Sequence, residues 1–163
     1  MREAIERFID RVGRATSWLA LVIIALMATN VLLRYLFRTG SVWSQELEWH
    51  LLAPLILFGM SYGLLKGEHV RVDIVYARFS PRAKTVVDLV SAILAAVISI
   101  IVIWLSIKYV QQSFVIDERS QDPGGLPYRF LLKGLIPVGF VLLLLQSLAS
   151  AAGCALKLKT PPP

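Results

Sequence analysis

Hydrophobic and polar positions fall into long blocks along this chain, not into the short periods of a soluble helix or strand. Four windows contain no Asp, Glu, Lys or Arg: Ala15–Leu33, Trp49–Leu65, Leu89–Ile107 and Gly134–Leu156. At about 1.5 Å per residue each spans roughly 26–34 Å as a helix, close to the ~30 Å hydrocarbon core of a bilayer. Backbone groups in lipid must satisfy one another within the segment, which selects helices. The expected fold is an all-α integral membrane protein forming a single membrane domain. Its four transmembrane helices are placed at 15–37, 47–66, 86–108 and 133–156, joined by loops at 67–84 and 109–131 and ending in a tail at 157–163.

Ahead of the first span, residues 1–14 place Ala4, Ile5, Phe8, Ile9 and Val12 at helical spacing, with Arg2, Arg7, Arg11 and Arg14 largely elsewhere. That pattern predicts an N-terminal interfacial amphipathic helix. A signal peptide is the rival reading. The first window is too long for its apolar core and no A-x-A site follows before Arg34, so the first span is expected to be retained.

Local punctuation supports these boundaries. Gly67 stands where a C-cap would end the second helix, and Ser80-Pro81 reads as an N-cap and first helical residue of the third. Ser44 is a plausible N-cap for the second, with Glu46 in the first turn favouring the helix dipole. The run Asp122-Pro123-Gly124-Gly125 must turn, and Pro127 is expected to start the helix leading into the fourth span.

Composition sharpens the class. The chain is 56% apolar and 17% charged, against roughly 45–50% and 25% for soluble domains. A mean hydropathy of +0.67 excludes a soluble enzyme. The net charge of +6 belongs to the flanks of the spans, where Lys and Arg mark cytoplasmic segments, and no nucleic-acid-binding pattern accompanies it. Placing both termini and the middle loop inside puts eleven Lys and Arg inside and six outside. The expected orientation is N-in, C-in. Trp18, Tyr35, Trp43, Trp49, Trp104 and Tyr109 fall near the expected interfaces, as aromatic belts do.

Chemistry is sparse. His50 and His69 stand at opposite ends of the second span, about 28 Å apart as a helix, so they cannot share a metal or a haem. That disfavours a haem-carrying anchor of a quinone oxidoreductase. No catalytic or cofactor-binding motif is present, no catalytic or metal-ligating residue is nominated, and no cofactor is expected. Cys154, alone in the last window, reads as a small apolar side chain. No window contains an ionisable carrier for Na⁺ or H⁺, and no polar stripe suggests a homo-oligomeric pore.

The windows do contain packing equipment. Gly59-x-x-x-Gly63 and Ala149-x-x-x-Gly153 would allow close helix approach, within this bundle or against a partner. Thr29, Asn30, Gln146 and Ser147 could hydrogen-bond between helices. A loop run, Gly67-Glu68-His69-Val70-Arg71-Val72-Asp73-Ile74, alternates ionic and apolar positions, and Asp73 could cap a short surface helix after it.

Several of these motifs occur in the order seen in one membrane-protein family: Arg34-Tyr35-x-Phe37, Trp43-Ser44-x-Glu46-Leu47, Gly59, Gly67 to Asp73, Gly125-Leu126-Pro127 and Ile136-Pro137-x-Gly139-Phe140. The chain resembles the small permease (Q) subunit of tripartite ATP-independent periplasmic (TRAP) transporters, over roughly residues 31–146. The resemblance implies a multi-pass inner-membrane scaffold in a bacterium or archaeon. Its partners would be a large permease (M) subunit and a periplasmic solute-binding protein. It further implies ion-driven, ATP-independent uptake of organic acids or related solutes, with Na⁺ coupling expected in the large subunit. The motif residues, together with Gly63, become candidates for structural or interaction roles.

Overall fold

A computed structural model of the chain describes residues 2–68 and 76–159. Four long helices make up most of it: α1 (Arg2–Phe37), α2 (Val42–Lys66), α3 (Pro81–Val115) and α4 (Arg129–Lys159). All four are long and apolar enough to cross a membrane. The turn at 38–41 makes α1 and α2 an antiparallel hairpin, and the loop at 116–128 does the same for α3 and α4. The α3–α4 pair is the most extensive contact, and α2 joins it to α1 by packing against α4.

No break separates the amphipathic segment from the first span. Helix α1 has 36 residues, about 54 Å of helix, so a bilayer cannot cover its whole length. Its buried positions, Ile9, Gly13, Thr16 and Ile23, form one stripe. Gly13 is where α2 comes nearest: a Cβ built there would lie 2.2 Å from Tyr62 Cγ. Beside it Lys66 Nζ meets Asp10 Oδ1 at 2.8 Å, tying the start of α1 to the end of α2.

Small side chains make the α3–α4 seam. The buried residues of α3 are Ala92, Ala96, Ser99, Ser106 and Ser113, spaced by fours, threes and sevens. Those of α4 include Leu142, Gln146 and Ala149, with Gly139 and Gly153 continuing the same spacing but facing α2 and the start of α1. Heptad spacing keeps one narrow face of a helix buried. Large apolar side chains elsewhere on α3 are left uncovered, including Val90, Ile93, Leu94, Val97, Ile98, Ile101 and Leu105. In water such a surface would aggregate; in lipid it is solvated by acyl chains, and association comes from close packing instead.

The helix ends correct several local expectations. Gly67 caps α2 at φ +75°, and the Glu68 and Gly67 amides donate to the Gly63 and Leu64 carbonyls at 3.1 and 3.3 Å, the pair of bonds of a Schellman motif. Ser80 caps α3 as expected, accepting from the Ala83 amide at 3.3 Å, with Pro81 in the first turn. Helix α2, however, starts earlier than expected. Ser41 is its N-cap residue, so Ser44 lies inside the helix and Glu46 stands beyond the first turn, where a dipole effect has faded. Pro127 does not open α4: Tyr128 intervenes at φ +62° and the helix begins at Arg129.

The packing expectations divide in the same way. Asn30 does cross between helices, donating to Glu48 Oε1 at 2.6 Å and accepting from the Ser44 hydroxyl. Thr29 bonds to Ala25 within its own helix, and Gln146 to Ser150 within its own. The Ser147 hydroxyl is buried without a partner. Ala149 and Gly153 are buried as a small-residue pair should be. Gly59 and Gly63 are different, because a Cβ on either would meet nothing within 4 Å. The close approach is at Gly139 instead, whose Cβ would lie 2.7 Å from Leu57 Cβ and 3.1 Å from the Leu57 carbonyl oxygen.

Gly139→Leu and Gly13→Leu should therefore lower the thermal midpoint of the detergent-purified chain, each by overpacking worth roughly 1–3 kcal/mol or more. Gly59→Leu and Gly63→Leu should leave that midpoint within a degree or two of wild type, about what surface substitutions do.

Candidate functional site

Glu46 is the one charged side chain that is buried among the described residues, at 3% relative exposure. It sits one turn before the uncharged window of α2, at the end of the bundle where the loop 116–128 crosses. A carboxylate taken from water must be given donors or it neutralises. Here the loop supplies them. Oε1 accepts from the Ser120 hydroxyl and from Arg129 Nη2 at 3.3 Å. Oε2 accepts from the Leu126 amide at 2.5 Å. One side chain of α2 thereby holds both strands of the α3–α4 connection and the first residue of α4. Such a donor set suits the ionised form.

The loop is shaped to make these bonds. Helix α3 ends in a Schellman arrangement in which the left-handed residue is Asp117, at φ +46°. The Glu118 amide donates to the Ser113 carbonyl and the Asp117 amide to the Phe114 carbonyl, at 3.0 and 3.2 Å. Asp tolerates that conformation better than most side chains. Asp122-Pro123-Gly124-Gly125 then turns, closed by the Gly125 amide on the Asp122 carbonyl at 3.0 Å. Gly124 at φ +81° occupies the position where a type II turn needs a positive φ. Gly125 has a second reason to be glycine: a Cβ there would lie 2.4 Å from Ser120 and 2.8 Å from Glu46 Oε2. Two backbone bonds complete the frame, Ser120 to Leu126 at 3.3 Å and Arg129 to Glu118 at 3.1 Å.

Around the carboxylate lies a half-buried collar. The Arg129 guanidinium stands 5.6 Å from the Trp49 ring centroid, and Lys133 Nζ stands 4.0 Å from that of Tyr109, both cation–π distances. Lys133 also pairs with Glu118. That hydrogen bond holds the Glu118 carboxyl below its ordinary range. His50 turns its Nδ1 to the Glu46 carbonyl at 2.7 Å; since a carbonyl only accepts, the proton is assigned to Nδ1. Its Nε2 is buried without a partner.

Of the residues singled out from the sequence, Glu46 is the one this site brings into contact with the loop. Arg34 lies in the last turn of α1 with its guanidinium 5.9 Å from the Tyr35 ring centroid, and Tyr35 and Trp43 are exposed at the same end of the bundle. Pro127 lies exposed in the loop, Pro137 lies inside α4, and Gly139 packs on Leu57. Gly67 and Glu68 make the α2 cap at the opposite end. His69, Arg71 and Asp73, with the proposed cap at Asp73, lie outside the described residues. Sequence reasoning missed Ser120, Arg129 and Leu126 as partners of Glu46, which are 74 to 83 residues distant. Its one usable signal was an acid, beside Glu48, just before an uncharged window.

Among the described residues no group of three His, Cys, Asp or Glu side chains is placed to hold a metal. The fold and site define a polytopic α-helical membrane protein whose buried charge braces its own connections. A sequence profile of the tripartite ATP-independent periplasmic transporters, DctQ component, matches residues 23–156. The chain belongs to that family, the small permease component of TRAP transporters, which is a family of transporter components and not of enzymes. No curated protein matches it significantly.

Two outcomes test the site. Glu46→Ala strands Arg129 and the Leu126 amide, and breaking a buried ion pair typically costs about 3–5 kcal/mol; trypsin should then cut after Arg119 faster than in wild type, with Glu46→Gln between the two. The second concerns pH. Because the folded Glu118 carboxyl titrates lower than in the unfolded chain, its stabilisation is complete at neutral pH and is lost as pH falls through the ordinary carboxylate range and below. The thermal midpoint should therefore fall less steeply below about pH 5 in Glu118→Gln than in wild type.

Proposed function

We propose that this chain is the scaffold-like small membrane subunit of an ion-gradient-driven importer of organic acids or related solutes. It would act with a large permease subunit and a periplasmic solute-binding protein in the inner membrane of a bacterium or archaeon. Family membership supports the partnership. The observation that carries the scaffold role is the use of Glu46: the one buried charge of the described residues is taken up by this chain's own loop, and the membrane windows contain no Asp, Glu, Lys or Arg. Substrate and coupling-ion sites then belong to the large subunit. The open Gly59–Gly63 face of α2 is suited to that partner, since small residues let helices approach closely.

In the proposed orientation both termini face the cytoplasm and the Glu46–loop assembly faces the periplasm, where the solute-binding protein works. Single cysteines at Gly40 and Gln121 in a Cys154→Ala background should react with an impermeant thiol reagent in whole cells, and one at Arg82 should not. The reverse pattern contradicts the orientation.

For function, liposomes loaded with the large subunit, solute-binding protein, substrate and a Na⁺ gradient should take up substrate only when this chain is included. Full uptake without it, or uptake by this chain alone, contradicts the proposal.

A further inference from the structure

At the end of the bundle opposite Glu46, the start of α1 and the ends of α2 and α4 meet the first turns of α3 around a cavity of about 430 Å³. Its depth is set by the sequence. Asp88 and Lys157, both in its lining, stand one residue outside the uncharged windows of α3 and α4. The cavity therefore lies at the level of the lipid headgroups.

Its polar lining is rich in donors that no protein acceptor meets. Arg2 gives Nε to Glu6 Oε1 at 2.7 Å, and that is its ion pair among the described residues. Its terminal nitrogens lie against α4 at Gly153, where a built Cβ would be 2.6 Å from Nη1. The missing side chain at Gly153 thus lets the guanidinium lean over the cavity. Lys157, from the last turns of α4, lines the same space and has no ion pair among the described residues. Ser150 accepts from Gln146 at 3.3 Å, leaving its own O–H free to donate, and the Ser91 hydroxyl lines the cavity as well. The one carboxylate in the lining, Asp88, is engaged by the Tyr76 hydroxyl at 3.0 and 3.1 Å. Leu64, Ala92 and Ala95 supply an apolar wall.

We infer that this cavity binds a phosphate group, that of an anionic phospholipid whose glycerol and upper acyl chain lie along the apolar wall. A phosphate offers acceptor oxygens and no obligatory donor, which matches two cations and two hydroxyls. Basic pockets between transmembrane helices at the headgroup level take anionic lipid in this way. Purely structural roles cover single residues only: Lys157 complements the α4 dipole and Arg2 pairs within its own helix. Neither accounts for Gly153 opening space for the guanidinium, or for the two hydroxyls on the same cavity. A cytoplasmic leaflet for this lipid rests on the orientation proposed above; the binding itself does not.

The test uses the full chain, delipidated in neutral detergent, with short-chain phosphatidylglycerol as probe and isothermal titration as readout. Wild type should bind one phosphatidylglycerol saturably and bind the matching phosphatidylcholine at least about tenfold more weakly, since headgroup charge contributes. Arg2→Gln with Lys157→Gln should weaken phosphatidylglycerol binding by about tenfold or more. The charge-matched pair Arg11→Gln with Lys159→Gln, outside the lining, should change it less than about twofold. Ser91→Ala with Ser150→Ala, which leaves net charge untouched, should weaken it too, so the result does not hang on one pair folding well. Equal losses in the two charge pairs, or no saturable binding, would overturn the site. Inorganic phosphate or glycerol 3-phosphate competing as strongly as the lipid would overturn the lipid assignment.

Discussion

A carboxylate at the edge of a membrane has to find its donors within the protein, and Glu46 finds them in a loop more than seventy residues away. That constraint sets the arrangement of one whole end of the bundle. The Ser120 hydroxyl, the Leu126 amide and the Arg129 guanidinium must reach a side chain rooted in α2, so the α3–α4 connection folds back over α2 and does not extend into water. The Asp117 cap, the turn at Gly124 and the crowding at Gly125 serve that reach. Without the carboxylate, α2 and the α3–α4 hairpin would be joined mainly by van der Waals packing at Leu57 and Gly139, in a solvent that gives apolar surfaces no reason to associate.

The rest of the bundle is consistent with that solvent. Alanines and serines make up the buried face of α3, while many of its leucines, isoleucines and valines face outward. This inverts the pattern of a water-soluble bundle, where the large residues go inside. Tight contact is concentrated at Gly13 against Tyr62 and Gly139 against Leu57, and it is absent at Gly59 and Gly63. In the assembly proposed above, the open Gly59–Gly63 face is where a larger membrane partner would complete the packing.

Much of this was legible in the sequence. The four uncharged windows located the four long helices, because length and absence of charge are properties of a single segment. Gly67 and Ser80-Pro81 located their helix ends for the same reason. What failed depended on distant partners. Ser44 and Glu46 looked like cap and dipole residues when only their neighbours in sequence were considered; in the structure Ser44 donates to Asn30 of α1 and Glu46 accepts from the loop. Pro127 carries a helix-start signal, yet Tyr128 at a positive φ follows it so that Arg129 can point at Glu46. The heptad of small residues on α3 was visible as letters, but alanine and serine scattered through an apolar window specify no face until a partner helix is present.

The central claim is that the Glu46 charge holds the α3–α4 connection to α2. A double-mutant cycle between Glu46→Gln and Arg129→Gln, read as unfolding free energy of the purified chain in detergent, addresses it most directly. Residues sharing one buried network should show a coupling energy of about 1–3 kcal/mol, with Arg129→Gln costing much less once Glu46 has lost its charge. Strict additivity of the two substitutions would contradict the claim.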